Sequence, residues 1–168
     1  MRSVPRPLPS RSTPLDPIEE AAWRVIARAV LVVPRTLEAD LLDGCGLSLA
    51  EYIVLVNLSE APGRTLRMYE LAVESTLTSG GVTRLVARME KQGLLTRQHA
   101  VHDGRGMTAT LTSAGSQRLS EAYPFALASV RTNVIDHLAD LDLPAFTAAV
   151  SKFSAAGPRR DTRRRLTR

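Results

Sequence analysis

The chain has 168 residues, enough for one domain of ordinary size, and 44% of them are hydrophobic, which excludes wholesale disorder. The single cysteine, Cys45, excludes an intrachain disulfide and a cysteine-based zinc finger. The aliphatic runs are too short to cross a bilayer and no secretory signal is recognisable. We therefore expect a cytoplasmic, α-rich protein that does not enter the membrane.

The net charge of +5 is distributed unevenly along the chain. We expect disordered, basic tails over residues 1–16, which are rich in proline, and over residues 158–168, which are rich in arginine. Between them, segment 64–118 carries a net charge of +4, whereas 16–63 carries −5 and 119–157 carries −2. This pattern indicates a nucleic-acid-binding face on a frame that does not touch nucleic acid, with chance clustering as the alternative.

The first half of the chain is predicted to be helical. Apolar residues at three- and four-residue steps predict a first helix over 17–42, which Pro34 should kink or split. Ser48 and Glu51 form a capping box at the start of a second helix, which should end before residue 59. A short third helix follows, up to about residue 74. Thr78 is placed to cap a fourth helix over 78–92, which Gly93 should terminate.

The second half adds a small sheet. Segments 94–101 and 107–111 are predicted to pair as a hairpin whose tip is 102–106. Thr112 is placed to cap a fifth helix that continues to about residue 139, and Pro144 suits the first turn of a sixth helix that closes at Gly157. The predicted fold is therefore mainly α with a small β-hairpin wing.

A short helix, a tight turn, a longer helix and a hairpin make up a winged helix-turn-helix, whose second helix enters the major groove of DNA. The outward face of the fourth helix has no acidic residue, and we expect it to contact double-stranded DNA through Ser79, Gly80, Thr83, Arg84 and Arg88. The glycine would let the backbone approach a phosphate, and Arg84 can bond guanine. The alternative is an ordinary solvated helix face.

Three further residues extend the predicted DNA-binding surface. Arg105 lies between two glycines at the hairpin tip and suits the minor groove, with Asp103 placed to hold it by an ion pair; the alternative is a plain Asp-Gly turn. Arg67 occupies the position where Ser or Thr would cap the third helix. It therefore either contacts a phosphate or leaves that helix start weak.

Several short motifs, in this order and spacing, resemble the MarR family of bacterial transcriptional regulators over about residues 18–156. They are Gly46-Leu47-Ser48, Leu66-Arg67-Met68-Tyr69-Glu70-Leu71-Ala72, Gly81-Val82-Thr83-Arg84-Leu85-Val86, Glu90-Lys91-Gln92-Gly93-Leu94-Leu95, Asp103-Gly104-Arg105-Gly106 and Leu111-Thr112-Ser113-Ala114-Gly115. The resemblance implies an α1-α2-α3-α4-β-β-α5-α6 subunit and a homodimer. The dimerisation region would comprise helix 17–46 and helices 113–157, and the DNA-binding domain would be 47–112. It also places Thr83 and Arg84 in the major-groove helix and Arg105 in the minor-groove wing.

A dimer is also expected from the long first and fifth helices, which a small winged domain cannot bury on its own. The expected function is a nucleoid-associated, homodimeric regulator that recognises a pseudo-palindromic operator, and a repressor is expected in preference to an activator. Relatives often bind a small aromatic ligand between the dimer frame and the winged domain. Trp23, Tyr52 and Tyr123 are candidate walls for such a ligand, with core or dimer packing as the alternative.

Two other functions stay open at this point. One is a winged-helix module that binds protein and not DNA. The other is a redox sensor based on Cys45, which lies between two glycines and is expected to be exposed. We expect no catalytic site, metal or cofactor: no catalytic or nucleotide-binding motif is present, and His99 and His102 would face opposite sides of a strand.

Overall fold

The computed structural model of the chain describes residues 13–99 and 106–154. These residues form six α-helices and three strands, with short 3₁₀ turns at Pro62–Arg64 and Ile135–Leu138. The elements are α1 (Pro17–Cys45), α2 (Leu49–Glu60), β1 (Thr65–Arg67), α3 (Met68–Glu74), α4 (Ser79–Lys91), β2 (Leu95–His99), β3 (Met107–Leu111), α5 (Ser113–Asn133) and α6 (Leu143–Ser154). The predicted class, mainly helical with a small antiparallel sheet, is confirmed.

Helix α1 is longer than predicted. Asp16 caps it, and Pro34 lies within the helix without splitting it, so of the two expected effects of this proline, a kink or a split, the split is wrong. The helix continues through residues 43–45, beyond its predicted end at residue 42, and is capped by Gly46, whose φ of 65° is left-handed. In the last turn, the ring of Phe125 in α5 packs where a Cβ of Gly44 would lie, so the glycine lets α5 approach closely there.

Helix α2 begins as predicted, with the reciprocal capping box of Ser48 and Glu51. Its start is also tied to α1, because the Glu38 carboxylate accepts the N–H of Leu49 at 2.5 Å. The helix runs two residues beyond its predicted end, to Glu60. In this added turn the hydroxyl of Ser59 donates to the carbonyl of Val56 in its own helix at 2.8 Å.

The sheet has three described strands and not the predicted two, in the order β1-β3-β2. Strand β1, which the sequence analysis missed, pairs with β3 from Thr65 opposite Thr110 to Arg67 opposite Thr108. Strand β2 pairs with the other edge of β3, from Leu95 to His99, so it starts one residue later than predicted. Residues 100–105, which include the end of the predicted strand and most of its tip, lie outside the described residues.

Helix α5 is shorter than predicted. It ends at Asn133 and not near residue 139, because Val134 leaves the helical region with φ −135° and ψ −65° and a 3₁₀ turn follows. Pro144 lies in the first turn of α6, as expected. The predicted end of α6 at Gly157 lies outside the described residues.

One hydrophobic core joins α2, α3, α4, the sheet and α5. Its fully buried side chains include Leu55, Leu58, Leu71, Val86 and Met89. Along the described ranges no single helix combines the length and apolarity that a bilayer crossing requires. Helices α1 and α2 reach the required length and apolarity only when they are taken together, and the chain bends by 87° between them.

Candidate nucleic-acid interface

Helix α4 buries one face and exposes the other. The hydroxyl oxygen of Thr78 accepts the N–H of Gly81 at 3.1 Å and caps the helix, as predicted. The predicted apolar stripe is buried in the core: Val82, Leu85, Val86 and Met89. Ser79 and Gly80 therefore lie exposed in the first turn, where the N–H groups of a helix start are available to an anion.

Thr83 and Arg84 follow on the exposed face. Among the described residues, no side chain bonds to the guanidinium of Arg84. The hydroxyl of Thr83 donates to the carbonyl of Ser79 at 2.8 Å, so its proton is used within the helix. Arg84 is thus ready to bind an outside acceptor, whereas Thr83 offers a methyl group and an oxygen lone pair.

Arg88, one turn further along α4, is already partnered. Its Nε and Nη2 lie 3.2 and 3.1 Å from Oε1 of Glu51, which stands in the first turn of α2. Burial alone would raise the pKa of Glu51. The hydrogen bonds from Ser48 and the charge and hydrogen bond of Arg88 outweigh burial, so the pKa lies below its ordinary value. A DNA contact by Arg88 remains a prediction, but its guanidinium is held by the protein.

Arg67 stands at the junction of β1 and α3. Its N–H donates to Oε2 of Glu70 at 2.9 Å, so the reach-back half of a capping box stabilises the start of α3. This hydrogen bond is the main reason that the pKa of Glu70 lies below its ordinary value. The start of α3 is therefore supported, although Arg67 replaces the usual capping residue. Its side chain is half-buried at the end of β1.

The wing strand is fixed to the end of α4. The guanidinium of Arg97 in β2 pairs with the carboxylate of Glu90, with nitrogen–oxygen distances of 2.7 and 2.5 Å, and the N–H of Arg97 donates to the same group at 3.0 Å. The predicted wing residues Asp103 and Arg105 lie outside the described residues. Sequence reasoning missed the pairs of Arg97 with Glu90 and of Arg88 with Glu51, because both join separate elements.

The three candidate ligand-binding residues do not all meet. Tyr52 and Tyr123 line one cavity of about 220 Å³ between α1, α2 and α5, together with Leu37, Leu41, Leu49, Ala126, Leu127 and Val130. Burial, the nearby Tyr123 and Glu60 raise the pKa of Tyr52, so this phenol is neutral at physiological pH. Trp23 lies on the N-terminal half of α1 with 59% of its surface exposed and does not line this cavity.

The expectation that Cys45 is exposed is wrong. It belongs to the last turn of α1, is half-buried, and its Sγ donates to the carbonyl of Leu41 at 3.2 Å. The helix continues past Gly44, which brings the thiol against the core. Within residues 13–99 and 106–154, no three His, Cys, Asp or Glu residues are grouped in a way that could hold a metal ion.

Comparison with solved structures gives close matches along most of the chain. AbsC from Streptomyces coelicolor, a MarR family transcriptional regulator, is 32% identical, with a TM-score of 0.77 over 86% of this chain and 97% of AbsC. Sco3205, another MarR family regulator from Streptomyces coelicolor that was crystallised with DNA, is 29% identical, with a TM-score of 0.80 over 91% and 95% of the two chains.

Sequence comparisons also match transcriptional regulators. The repressor YetL from Bacillus subtilis is 32% identical over 81 residues, 48% of each chain. The matches thus span about half the length of such curated relatives, which are named as transcriptional regulators and not as enzymes. The sequence model of the MarR family matches residues 46–106, the segment that contains α2 to β2. With that match, and with 32% identity sustained over nearly all of AbsC, the chain belongs to the MarR family of transcriptional regulators.

Proposed function

We propose that the chain is a homodimeric, DNA-binding repressor that places α4 in the major groove. The observation that carries this proposal is the exposed end of α4. A buried stripe fixes the helix to the core, and the opposite side presents Ser79, Gly80, Thr83 and Arg84, with the Arg84 guanidinium unpaired among the described residues. An arginine in this position can form two hydrogen bonds to a guanine edge. Segment 101–107, mostly outside the described residues, would supply the minor-groove contact through Arg105.

The relatives support DNA binding and repression. Sco3205 was crystallised in complex with DNA, and YetL is named a repressor. A repressor of this kind would compete with the polymerase for promoter DNA at the nucleoid. If the protein is a two-fold dimer, its operator is pseudo-palindromic, with half-sites roughly 10 bp apart.

The exposed apolar surface of α1 supports dimerisation. The N-terminal half of this helix carries large apolar side chains that the other described residues leave exposed: Ile18, Trp23, Val25, Val30 and Leu31. Leu143 and Phe146 of α6 are exposed as well. An apolar surface of this extent is typical of an interface. We assign segments 17–46 and 113–157 to the dimer frame and segment 47–112 to the winged domain.

The cavity beside Tyr52 and Tyr123 is our candidate for ligand response. Its walls are mostly aliphatic, and its volume of about 220 Å³ suits one aromatic ring with a small polar substituent. It lies between α1 and α5 of the dimer frame and α2 of the winged domain, so an occupant would act on both. Trp23 fits the dimer face better than this cavity. Calorimetry with benzoate tests the assignment: binding that Tyr52→Ala leaves unchanged would remove it.

Titration of DNA binding tests the main proposal. An operator is first selected from random oligonucleotides, and its affinity is measured at several salt concentrations. We expect affinity to fall steeply with salt, and Arg84→Ala to cost about 1–3 kcal/mol and to relax base preference. Arg131→Ala, which removes an exposed arginine from α5, is the matched control and should have little effect. Binding that hardly changes with salt, or an unaffected Arg84→Ala variant, would contradict the proposal.

A further inference from the structure

Glu51 is buried although it is charged. Only 9% of its side chain is exposed, whereas its partner Arg88 is 57% exposed. Both carboxylate oxygens are engaged. Oε2 accepts the N–H and the hydroxyl of Ser48 at 3.0 and 2.6 Å, and Oε1 accepts Nε and Nη2 of Arg88. Removing one partner of such a buried group is costly, because the other is left without its bonds.

The Glu51 carboxylate connects the start of α2 with α4, the proposed DNA-contacting helix. Ser48 and Glu51 form the first turn of α2, which follows the corner after α1, and Arg88 belongs to α4. Arg88 stands four residues after Arg84, so it lies on the same side of the helix. Its guanidinium is nevertheless drawn back to α2, and its charge is balanced by that of Glu51.

We propose that Glu51 is a positioning residue for DNA recognition, which acts through Arg88 to fix α4 against the start of α2. This inference rests on the proposed function. Arg88, which the sequence analysis placed among the DNA-contacting residues, then contributes to affinity by holding α4 in place and not by binding a phosphate. Arg84 makes the contact, and the pair of Glu51 and Arg88 sets where Arg84 stands.

Whether DNA affinity rises or falls when the Glu51 carboxylate is lost distinguishes positioning from simple electrostatics. DNA is a polyanion, so the loss of a carboxylate near a DNA-binding surface should raise affinity if only charge matters. If Glu51 positions α4, its loss should lower affinity although a repulsive charge is removed. The salt dependence gives a second criterion, because loss of one phosphate contact reduces the slope by about 1.

The test compares the full-length wild type with Glu51→Gln, Arg88→Gln and the double variant on the selected operator. We expect each single variant to lose about tenfold in affinity and the double variant to lose little more, since both changes break one interaction. The salt slope of Arg88→Gln should equal that of the wild type. Glu74→Gln, which removes an exposed carboxylate from α3, is the charge control and should bind as tightly as the wild type or more tightly.

Three results would overturn the inference: Glu51→Gln binding as well as Glu74→Gln, additive losses in the double variant, or a slope reduced by about 1 in Arg88→Gln. If Glu51→Gln fails to fold, Arg88→Lys tests the inference instead. This variant should fold, because the side chain at position 88 is largely exposed. Lysine keeps the charge for a phosphate but lacks the planar fork that grips Glu51. Positioning therefore predicts that it binds more weakly than the wild type with an unchanged salt slope, and wild-type affinity would refute positioning. A wild type that binds no DNA would instead reject the proposed function itself.

Discussion

Replacing Gly115 with alanine should destabilise the protein, although alanine is the better helix former. Gly115 lies in the first turn of α5, where its N–H donates to the hydroxyl of Thr112 at 3.0 Å. An added Cβ would stand 2.7 Å from Cδ1 of Leu111 and 3.0 Å from the carbonyl carbon of Leu94, and closer still to the oxygen of that carbonyl. Because two of these atoms belong to the backbone, a side-chain rotation cannot relieve the overlap.

The magnitude follows from the opposing contributions. Overpacking of a buried site costs about 1–3 kcal/mol, and a backbone obstacle places this site at the upper end. Displacing Leu94 also weakens the hydrogen bond that its carbonyl accepts from Thr112 at 3.2 Å, a loss of about 1 kcal/mol. The higher helix propensity of alanine offsets about 1 kcal/mol of this loss in the free energy of unfolding. We therefore expect a net loss of about 3 kcal/mol, or about 6–12 °C in Tm for a protein of this size.

Thermal unfolding followed by circular dichroism, at one fixed protein concentration, measures this loss. Gly80→Ala is the matched control, since it makes the same change in the first turn of α4, where no described atom outside the helix's own nearby backbone lies within 4 Å of the added Cβ. That variant should gain up to about 1 kcal/mol. Equal shifts in Tm for the two variants, or a stabilised Gly115→Ala, would refute the steric reasoning.

Two further predictions concern acid and assembly. The pKa values of Glu51, Glu70 and Glu90 lie below their ordinary value of 4.5, so the stabilisation from their partners is complete above that pH and is lost as the pH falls below it. Urea unfolding at a series of pH values should show this loss, and Glu51→Gln should make the dependence shallower; an equally steep profile would contradict it. Val30→Asp, which puts a charge on the exposed apolar surface of α1, should convert the proposed dimer to monomers in light-scattering measurements, and an unchanged mass would contradict an interface at this surface.

The helix starts could be predicted because their signals are local. Ser48 with Glu51, and Thr78 with Gly81, are partners within three residues, and the structure contains both interactions. The stripe of α4 was recognisable for the same reason, since its period belongs to the helix itself. The exposed Arg84 follows directly from that stripe, so the major part of the candidate DNA-binding face was accessible from the sequence.

What was missed depends on contacts between distant segments. Strand β1 has three residues, too few to show an alternation, and it forms only because β3 pairs with it more than forty residues later. In the last turn of α1, Phe125 of α5 packs against Gly44, a contact that no local propensity could indicate. The carboxylate that holds Arg88 lies 37 residues earlier in the chain. Local patterns therefore predicted the elements but not how they are joined.

The order of strands in the sheet has a consequence for the integrity of the winged domain. The central strand β3 and helix α5 come after residues 100–105, whereas both edge strands, β1 and β2, come before them. If a protease cut the chain between His99 and Met107, the two fragments would still share both ladders of the sheet and the packing of α5 against α1 and α2. A nicked protein would therefore migrate as one particle until it is denatured, and separately expressed halves should reconstitute it.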